Sequence, residues 1–365
     1  MASTATATTT FAAAPRLLLL LTVLCRILIY FLAAWASQLP LFDASPNLIS
    51  TSPNWFKSGF RWDVFHFDHI SHQGYVYEHE WAFFPGLPFI LSVLKERQLI
   101  LLVLMVTIDL DTTNVLYRLS LQHFSSPNFA LLVSFLSLLP SSPASLRLAP
   151  YNEPFFTHLS YRGRHAVLLT NGFIVWGLLV QPFLNTARPP AGLSPYTKAI
   201  IYSTMILTPF VFHQATGYSA FCINSVNVDT WCSRSLPLIY SHVQSKYWNG
   251  GLFQYWTLAQ LPNFIIAAPP LIIIIAYSTH IVRASTHSSM GLVPHAIHAC
   301  VLGCTLFFAS NVQIILRLAP SMPLVYWAAA WLVMDHPKVG RWWVGWSVTW
   351  GMVAILLWSV FLPPA

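Results

Sequence analysis

Apolar residues run through this chain in stretches long enough to cross a lipid bilayer. Pro15 to Ser37 is one such stretch, 23 residues and mostly apolar. About 20 apolar residues span the hydrocarbon core as a helix. Charge is correspondingly scarce. Only 8% of the 365 residues are Asp, Glu, Lys or Arg, against 56% hydrophobic. A soluble domain carries roughly 25% charged residues, so a water-soluble fold is excluded. The apolar residues do not alternate with polar ones, which argues against a transmembrane β-barrel. An all-α polytopic membrane protein remains.

Such segments recur near 15–37, 82–110, 113–140, 154–160, 165–184, 199–213, 260–279, 296–318, 322–333 and 341–362. Several are short or broken by proline, so the pattern predicts about eight transmembrane helices, within a range of seven to ten. Pro85, Pro88, Pro262, Pro269 and Pro270 lie in or at the rim of these runs. Broken helices at membrane depth survive where they line a cavity or pack against protein. Residues 1–14 are rich in Ala and Thr, which predicts a disordered tail. Residues 15–365 read as a single multi-span membrane domain. Ala34-Trp35-Ala36 imitates a signal-cleavage site, yet a basic leader is nearly absent, so the first helix is expected to be retained. Arg26 sits inside that helix, where a charge is costly unless it faces the protein interior.

The net charge of +7 is not gathered into a dense basic run, so nucleic acid is not a partner. Five cysteines make no disulfide framework. Cys300 and Cys304 lie one helical turn apart in an apolar run and read as buried hydrophobes. Cys222 and Cys232 share a polar loop and pair if that loop faces an oxidising compartment.

Two polar excursions interrupt the apolar pattern, about 38–82 and about 217–259. The first holds Asp43, Asp63, Asp68, Glu78 and Glu80, five of the eleven acids in the chain, with His66, His69, His72 and His79. Ionisable groups concentrated in a membrane protein mark the place for proton-transfer chemistry. Trp62, His66 and His69 are at helical spacing, so a short interfacial helix is expected there. The bland alternative is an aromatic belt. The histidines with Asp63 and Asp68 lack cysteine and any metal-ligand spacing, so no metal site is read from them. Glu153, in Pro150-Tyr151-Asn152-Glu153, is either a helix N-terminal charge or a cavity carboxylate. Residues 231–264 mix Trp and Tyr with Gln, Asn, Ser and His. That mixture suits a carbohydrate or lipid headgroup, or an aromatic girdle.

Four ordered blocks carry a resemblance. They are Arg61-Trp62-Asp63 with Gly74-Tyr75-Val76-Tyr77-Glu78-His79 and Ala82-Phe83-Phe84-Pro85-Gly86-Leu87-Pro88; Ala149-Pro150-Tyr151-Asn152-Glu153; Tyr240-Ser241-His242-Val243-Gln244 to Tyr255-Trp256-Thr257 with Gln260-Leu261-Pro262-Asn263-Phe264; and Arg317 to Pro323 with Tyr326-Trp327. Together these resemble the GPI mannosyltransferase 2 family (PIG-V type, glycosyltransferase family 76). The chain departs from that family at Pro150 and Asn152, and is shorter than its pattern around 96–111 and 161–172.

The resemblance implies a GT-C type glycosyltransferase, multi-pass in the endoplasmic reticulum membrane, with a large first luminal loop. It implies transfer of an α-1,6-linked second mannose from dolichyl phosphate mannose to the GPI-anchor precursor, with inversion and without a cofactor. An inverting transfer needs a base for the acceptor hydroxyl and a stabiliser for the leaving phosphate. On this reading Asp63 is the base, with Glu78 and Asp68 as runners-up, and Arg61 holds phosphate. Trp62, Asp68, His79, Glu153, Trp256, Gln260 and Asn263 are the expected substrate-binding residues. The expected partners are the GPI-precursor glycolipid, dolichyl phosphate mannose and membrane lipids, with a small membrane partner subunit left open. A lipid-linked-sugar transporter or flippase, or a non-catalytic GPI-assembly subunit, stands as the alternative.

Overall fold

A computed structural model describes residues 2–43, 59–94, 97–166, 171–223, 229–284 and 287–362. Within the first polar loop residues 44–58 lie outside this set, as do 224–228 of the second. The parts of the shortened regions at 96 and 167–170 also fall outside it. Among the described residues every regular element is a helix. This is an all-α polytopic membrane protein.

The first helix, α1 (Ala2–Ala36), is helical in backbone well before Pro15. The alanines that suggested a disordered tail are strong helix formers. Residues Ala14–Ala36 are the part of it long and apolar enough to cross a membrane. The first polar loop then holds α2 (Asp63–Gln73), a 3₁₀ turn Glu78–Ala82, and α3 (Gly86–Val93). Next come α4 (Gln98–Phe124), α5 (Pro127–Leu136) and α6 (Asn152–Ala166). The chain continues with α7 (Ser194–Tyr218), α8 (Ile239–Trp248), α9 (Leu261–Arg283) and α10 (Val293–Ala309). It closes with α11 (Ile314–Leu318), α12 (Pro323–Asp335) and α13 (Pro337–Ser359).

Four helical segments are long and apolar enough to cross a membrane: Ala14–Ala36, Gln98–Phe124, Leu258–Arg283 and Met290–Ala309. A fifth forms if Ile314–Ser321 and Pro323–Asp335, bent by 85°, act as one broken span. The sequence expectation of about eight also drew in shorter segments. Some are now visible as the ten-residue α5 and the 15-residue α6, neither long enough alone. Helices α7 and α13 have 25 and 23 residues, and so the length to cross. Their Thr, Ser, Gln and Trp content keeps them below the apolarity of the four.

Helix α1 packs against α13 and α4, so the two ends of the chain meet. Helix α4 in turn contacts α5 and α6, and α9 packs on α10 and α12. One apolar core joins α4, α5, α9, α10, α11 and α12 through Leu116, Val133, Ile274, Ala299, Ile315 and Trp327. Arg26 faces inward, as its cost in lipid requires. Its Nη1 donates to Asp109 Oδ2 at 3.2 Å and to Met105 O at 3.4 Å. Arg147 approaches the other oxygen of Asp109 at 3.5 Å, so two cations flank one buried carboxylate.

The 85° break carries the site. Pro323 opens α12 at its first turn, where its missing N–H costs nothing. The preceding arm, with Arg317 near its end, thereby points back toward the first polar loop.

Candidate active site

Asp63 is the first residue of α2. Trp62 before it adopts φ 54° and ψ −124°, a region that L-residues other than glycine rarely occupy. Such a conformation costs about 1–3 kcal/mol and persists only where its surroundings fix it. Here the indole stacks on Phe361, with centroids 4.6 Å apart and planes 6° from parallel. The backbone N–H of Asp63 donates to the Tyr151 hydroxyl at 3.0 Å. The turn, the stack and this hydrogen bond hold the Asp63 side chain at one place.

Arg317 meets that side chain from the far end of the sequence. Its Nη1 lies 3.0 Å from Asp63 Oδ2, and its Nε donates to Glu153 Oε1 at 2.6 Å. The guanidinium also lies over the Tyr151 ring, 4.9 Å from its centroid. The three charges differ in access. Side chains of Asp63 and Arg317 are 30% and 24% exposed, whereas that of Glu153 is 6% exposed. Burial raises the Glu153 carboxyl above its ordinary range, with the charge and hydrogen bond of Arg317 opposing the rise. Of the two sequence readings for Glu153, its position at the start of α6 fits the helix charge, and its pairing with Arg317 fits the cavity carboxylate.

His66 lies one helical turn beyond Asp63. Its imidazole stacks on Phe83 and meets His79 edge-on. Burial, then the neighbouring His79, lowers its basicity, so it is neutral near pH 7. His79 also stacks on Tyr77 and touches Tyr247 of α8. Glu80, nearly fully buried, accepts from the backbone N–H groups of Val76 and Tyr77 at 2.8 Å each and pairs with His69. It thus fixes the loop that carries His79.

Glu78 joins the two polar loops. It accepts from Lys246 at 2.7 Å and from the Tyr247 hydroxyl at 3.0 Å, and His242 lies at 3.1 Å. Burial alone would raise its carboxyl. The Lys246 and Tyr247 hydrogen bonds and the Lys246 and His242 charges outweigh burial and hold it below the usual range. Asp229 joins the same cluster at 3.3 Å from Lys246. Glu78, Asp229 and His242 bring ligand atoms within 4.8 Å of one another, with the Lys246 ammonium as their cation. Close by, Cys222 and Cys232 form a disulfide with Cα atoms 5.6 Å apart, the pairing that an oxidising compartment allows.

The other expected residues sit as follows. Arg61 is buried and donates to the carbonyls of Phe60 at 2.8 Å and Ser359 at 3.2 Å. Its desolvation lowers its pKa to about 10. The arginine paired with Asp63 is therefore Arg317. Asp68 is half-exposed, and its side chain lies 3.7 Å from His72. Asn263 donates to Gln260 at 2.6 Å and to the Tyr255 hydroxyl at 2.9 Å. Trp256 donates to Phe307 O at 2.8 Å. These last three form a further cluster, where a polar cleft of about 330 Å³, lined by Asn249, Gln260 and the Lys246 and Tyr247 that hold Glu78, meets at Thr257 an apolar groove of about 810 Å³. The groove runs between α9 and α10 and is walled by Trp256, Leu261, Phe264, Leu271, Phe307 and Phe308.

Sequence reasoning missed Arg317 as a site residue and Tyr151 as its support. Both stood in the matching blocks. The signal for Arg317 was its place in an apolar run, where an unpaired charge is costly.

A partly open carboxylate held by an arginine, in a multi-helix membrane fold that also carries a polar cleft of aromatic rings and amides, is the arrangement of a membrane-embedded enzyme. The profile of the mannosyltransferase (PIG-V) family matches residues 6–180 and 195–365, so the chain belongs to that family. It is 30% identical to GPI mannosyltransferase 2 of Cryptococcus neoformans, over 94% of this chain and 96% of the relative. It is 28% identical to GPI mannosyltransferase 2 of Yarrowia lipolytica, over 92% and 96%. The mouse protein named GPI alpha-1,6-mannosyltransferase 2 is 28% identical over 77% of this chain and 74% of its own length. No solved structure matches. Since 94% of 365 residues is about 343, some 73 of the 416 positions aligned with the Cryptococcus relative have no residue in this chain. The chain is thus shorter than that relative inside the shared region.

Proposed function

We propose that this chain transfers mannose from dolichyl phosphate mannose to the 6-hydroxyl of the first mannose of the GPI-anchor precursor, in the endoplasmic reticulum membrane. The observation that carries this reading is the Asp63 carboxylate, fixed at the head of α2 and partly open, in a chain of this family. The name of the mouse relative supplies the linkage. The Cys222–Cys232 disulfide, beside the Glu78 cluster, supports a luminal face for both polar loops.

Asp63 accepts the proton of the acceptor hydroxyl as its oxygen bonds to C1 of the donor mannose. The bond from C1 to the bridging phosphate oxygen breaks, and its electron pair leaves on dolichyl phosphate. Attack opposite the leaving group inverts the anomeric centre from β to α. The phosphate leaves without protonation of the bridging oxygen, so no strong general acid is needed. Neutral His66 and the stacked His79, Tyr77 and Tyr247 rings offer hydrogen bonds and sugar-stacking faces between Asp63 and the Glu78 clamp. The apolar groove is matched to a lipid tail and the adjoining polar cleft to a sugar-bearing head.

The test is rescue by the unaltered chain of eukaryotic cells lacking their own second GPI mannosyltransferase, with GPI lipids resolved by mannose number. Loss of the one-mannose lipid and return of anchored proteins to the surface are expected. Persistence of that lipid despite stable membrane expression contradicts the reading, and favours a transport or non-catalytic role.

A further inference from the structure

We infer that Arg317 is the cation that takes up the leaving phosphate, and that Glu153 is the positioning residue that holds it ready. The inference rests on the transferase reading above and extends it to residues to which that reading gives no role. The asymmetry of the Arg317 contacts carries it. On one side the guanidinium is anchored: Nε donates to Glu153, which is buried, and the Tyr151 ring lies beneath. On the other side Nη1 meets Asp63, which is partly open. Glu153 keeps its second oxygen, Oε2, buried with no hydrogen-bond partner among the described residues. Leaving a buried carboxylate oxygen unpaired is expensive. Here one oxygen is spent on aiming Arg317, and Nη1 is left toward the open side.

The charge changes of the reaction give that geometry a purpose. Before transfer Asp63 is an anion and the donor phosphodiester carries one negative charge. As the acceptor proton moves to Asp63, that carboxylate becomes neutral and releases Nη1. In the same step the C1–oxygen bond breaks and the phosphate becomes a monoester with a second negative charge. The partner that loses charge and the partner that gains it lie on the same open side of one guanidinium. Arg317 therefore binds the transition state more strongly than the ground state, which is the condition for accelerating the step. A planar fork suits this exchange, since one edge can stay on Glu153 while the other changes partner. Arg61 is less suited, because it is buried and its Nη1 and Nη2 already donate to the carbonyls of Phe60 and Ser359.

The experiment uses the full chain, purified into lipid nanodiscs, as wild type, Arg317→Lys, Glu153→Gln and Glu153→Asp. Binding of dolichyl phosphate and of dolichyl phosphate mannose is measured directly, alongside mannose transfer and thermal stability. Arg317→Lys and Glu153→Gln should weaken dolichyl phosphate binding about tenfold more than dolichyl phosphate mannose binding, the worth of one charge-assisted hydrogen bond. They should lower kcat more than they raise the donor KM. Glu153→Asp should recover part of both losses. Equal loss for the two lipids, or unchanged binding of dolichyl phosphate in folded variants, overturns the inference. A wild-type chain that transfers no mannose but binds dolichyl phosphate in an Arg317-dependent way sustains the phosphate site and overturns the transferase reading alone. A wild-type chain that binds neither lipid overturns both.

Discussion

Asp63 and Arg317 come from opposite ends of the chain and meet at 3.0 Å. The contact depends on two local irregularities. One is the positive φ of Trp62, which turns the chain into α2; the other is the 85° break after Ser321, which returns the short arm that carries Arg317. Asp63 would be a loop acid like any other without both.

Tyr151 supports that contact twice, by accepting the Asp63 N–H and by lying under Arg317. Tyr151→Phe keeps the ring and removes the acceptor. Losing one partner of such a bond costs about 1–3 kcal/mol. We expect mannose transfer to fall about tenfold in kcat with little change in donor KM, because a tenfold change equals about 1.4 kcal/mol. Kinetics in microsomes check this, and an unchanged kcat would remove Tyr151 from the account.

Glu78 should tie stability to acid pH. Its carboxyl is held below the ordinary range in the folded state, so its contribution is fully present above the unfolded pKa, near about 4.3. It fades as pH falls through the folded value. Lys246 shifts the other way, so its contribution persists below about 10.4 and is lost as pH rises past its raised value. With Lys246 44% exposed, solvent screens the pair, which limits it to about 1 kcal/mol or less. Wild type should therefore melt slightly above Glu78→Gln at neutral pH, and the gap should close below about pH 4. Melting curves across pH check the sign. A gap that widens in acid contradicts it.

The buried Arg26–Asp109–Arg147 group predicts an ordered pair of effects. Asp109→Asn leaves two cations facing one another, and breaking such a pair costs about 3–5 kcal/mol. Arg26→Met leaves Arg147 with Asp109 and its own stem volume filled. The melting temperature should drop more for Asp109→Asn than for Arg26→Met. The reverse order would mean that Arg147 does not share the carboxylate.

The disulfide spans a sequence separation of 10. Closing a loop of that size in the unfolded chain stabilises the native state by about 2–3 kcal/mol. Cys222→Ser should lower the melting temperature, and alkylation should label Cys222 and Cys232 only after reduction. Labelling without reductant would place both thiols in a reducing compartment.

Several candidate residues were legible because charge is so rare here. Asp63 stood out as an acid in a loop rich in histidine, and Arg26 had to face inward. The fold class followed from apolar length alone. Arg317 was not legible as the partner of Asp63, because only the break before Pro323 brings it there. Arg61 looked suited to phosphate from its nearness in sequence to Asp63. Neighbours in sequence at a helix start diverge in space, however, and its guanidinium turns to the end of α13 at Ser359. The span count was the least legible feature, since prolines and aromatic residues blur where one apolar helix ends.

The most direct measurement is mannose transfer from dolichyl phosphate mannose to the one-mannose GPI lipid by the full chain and by Asp63→Asn, in membranes expressing both equally. The account predicts transfer by the wild type and a loss of at least about a thousandfold in the variant, within the range for removing an essential base. Near-normal transfer by folded Asp63→Asn would contradict it.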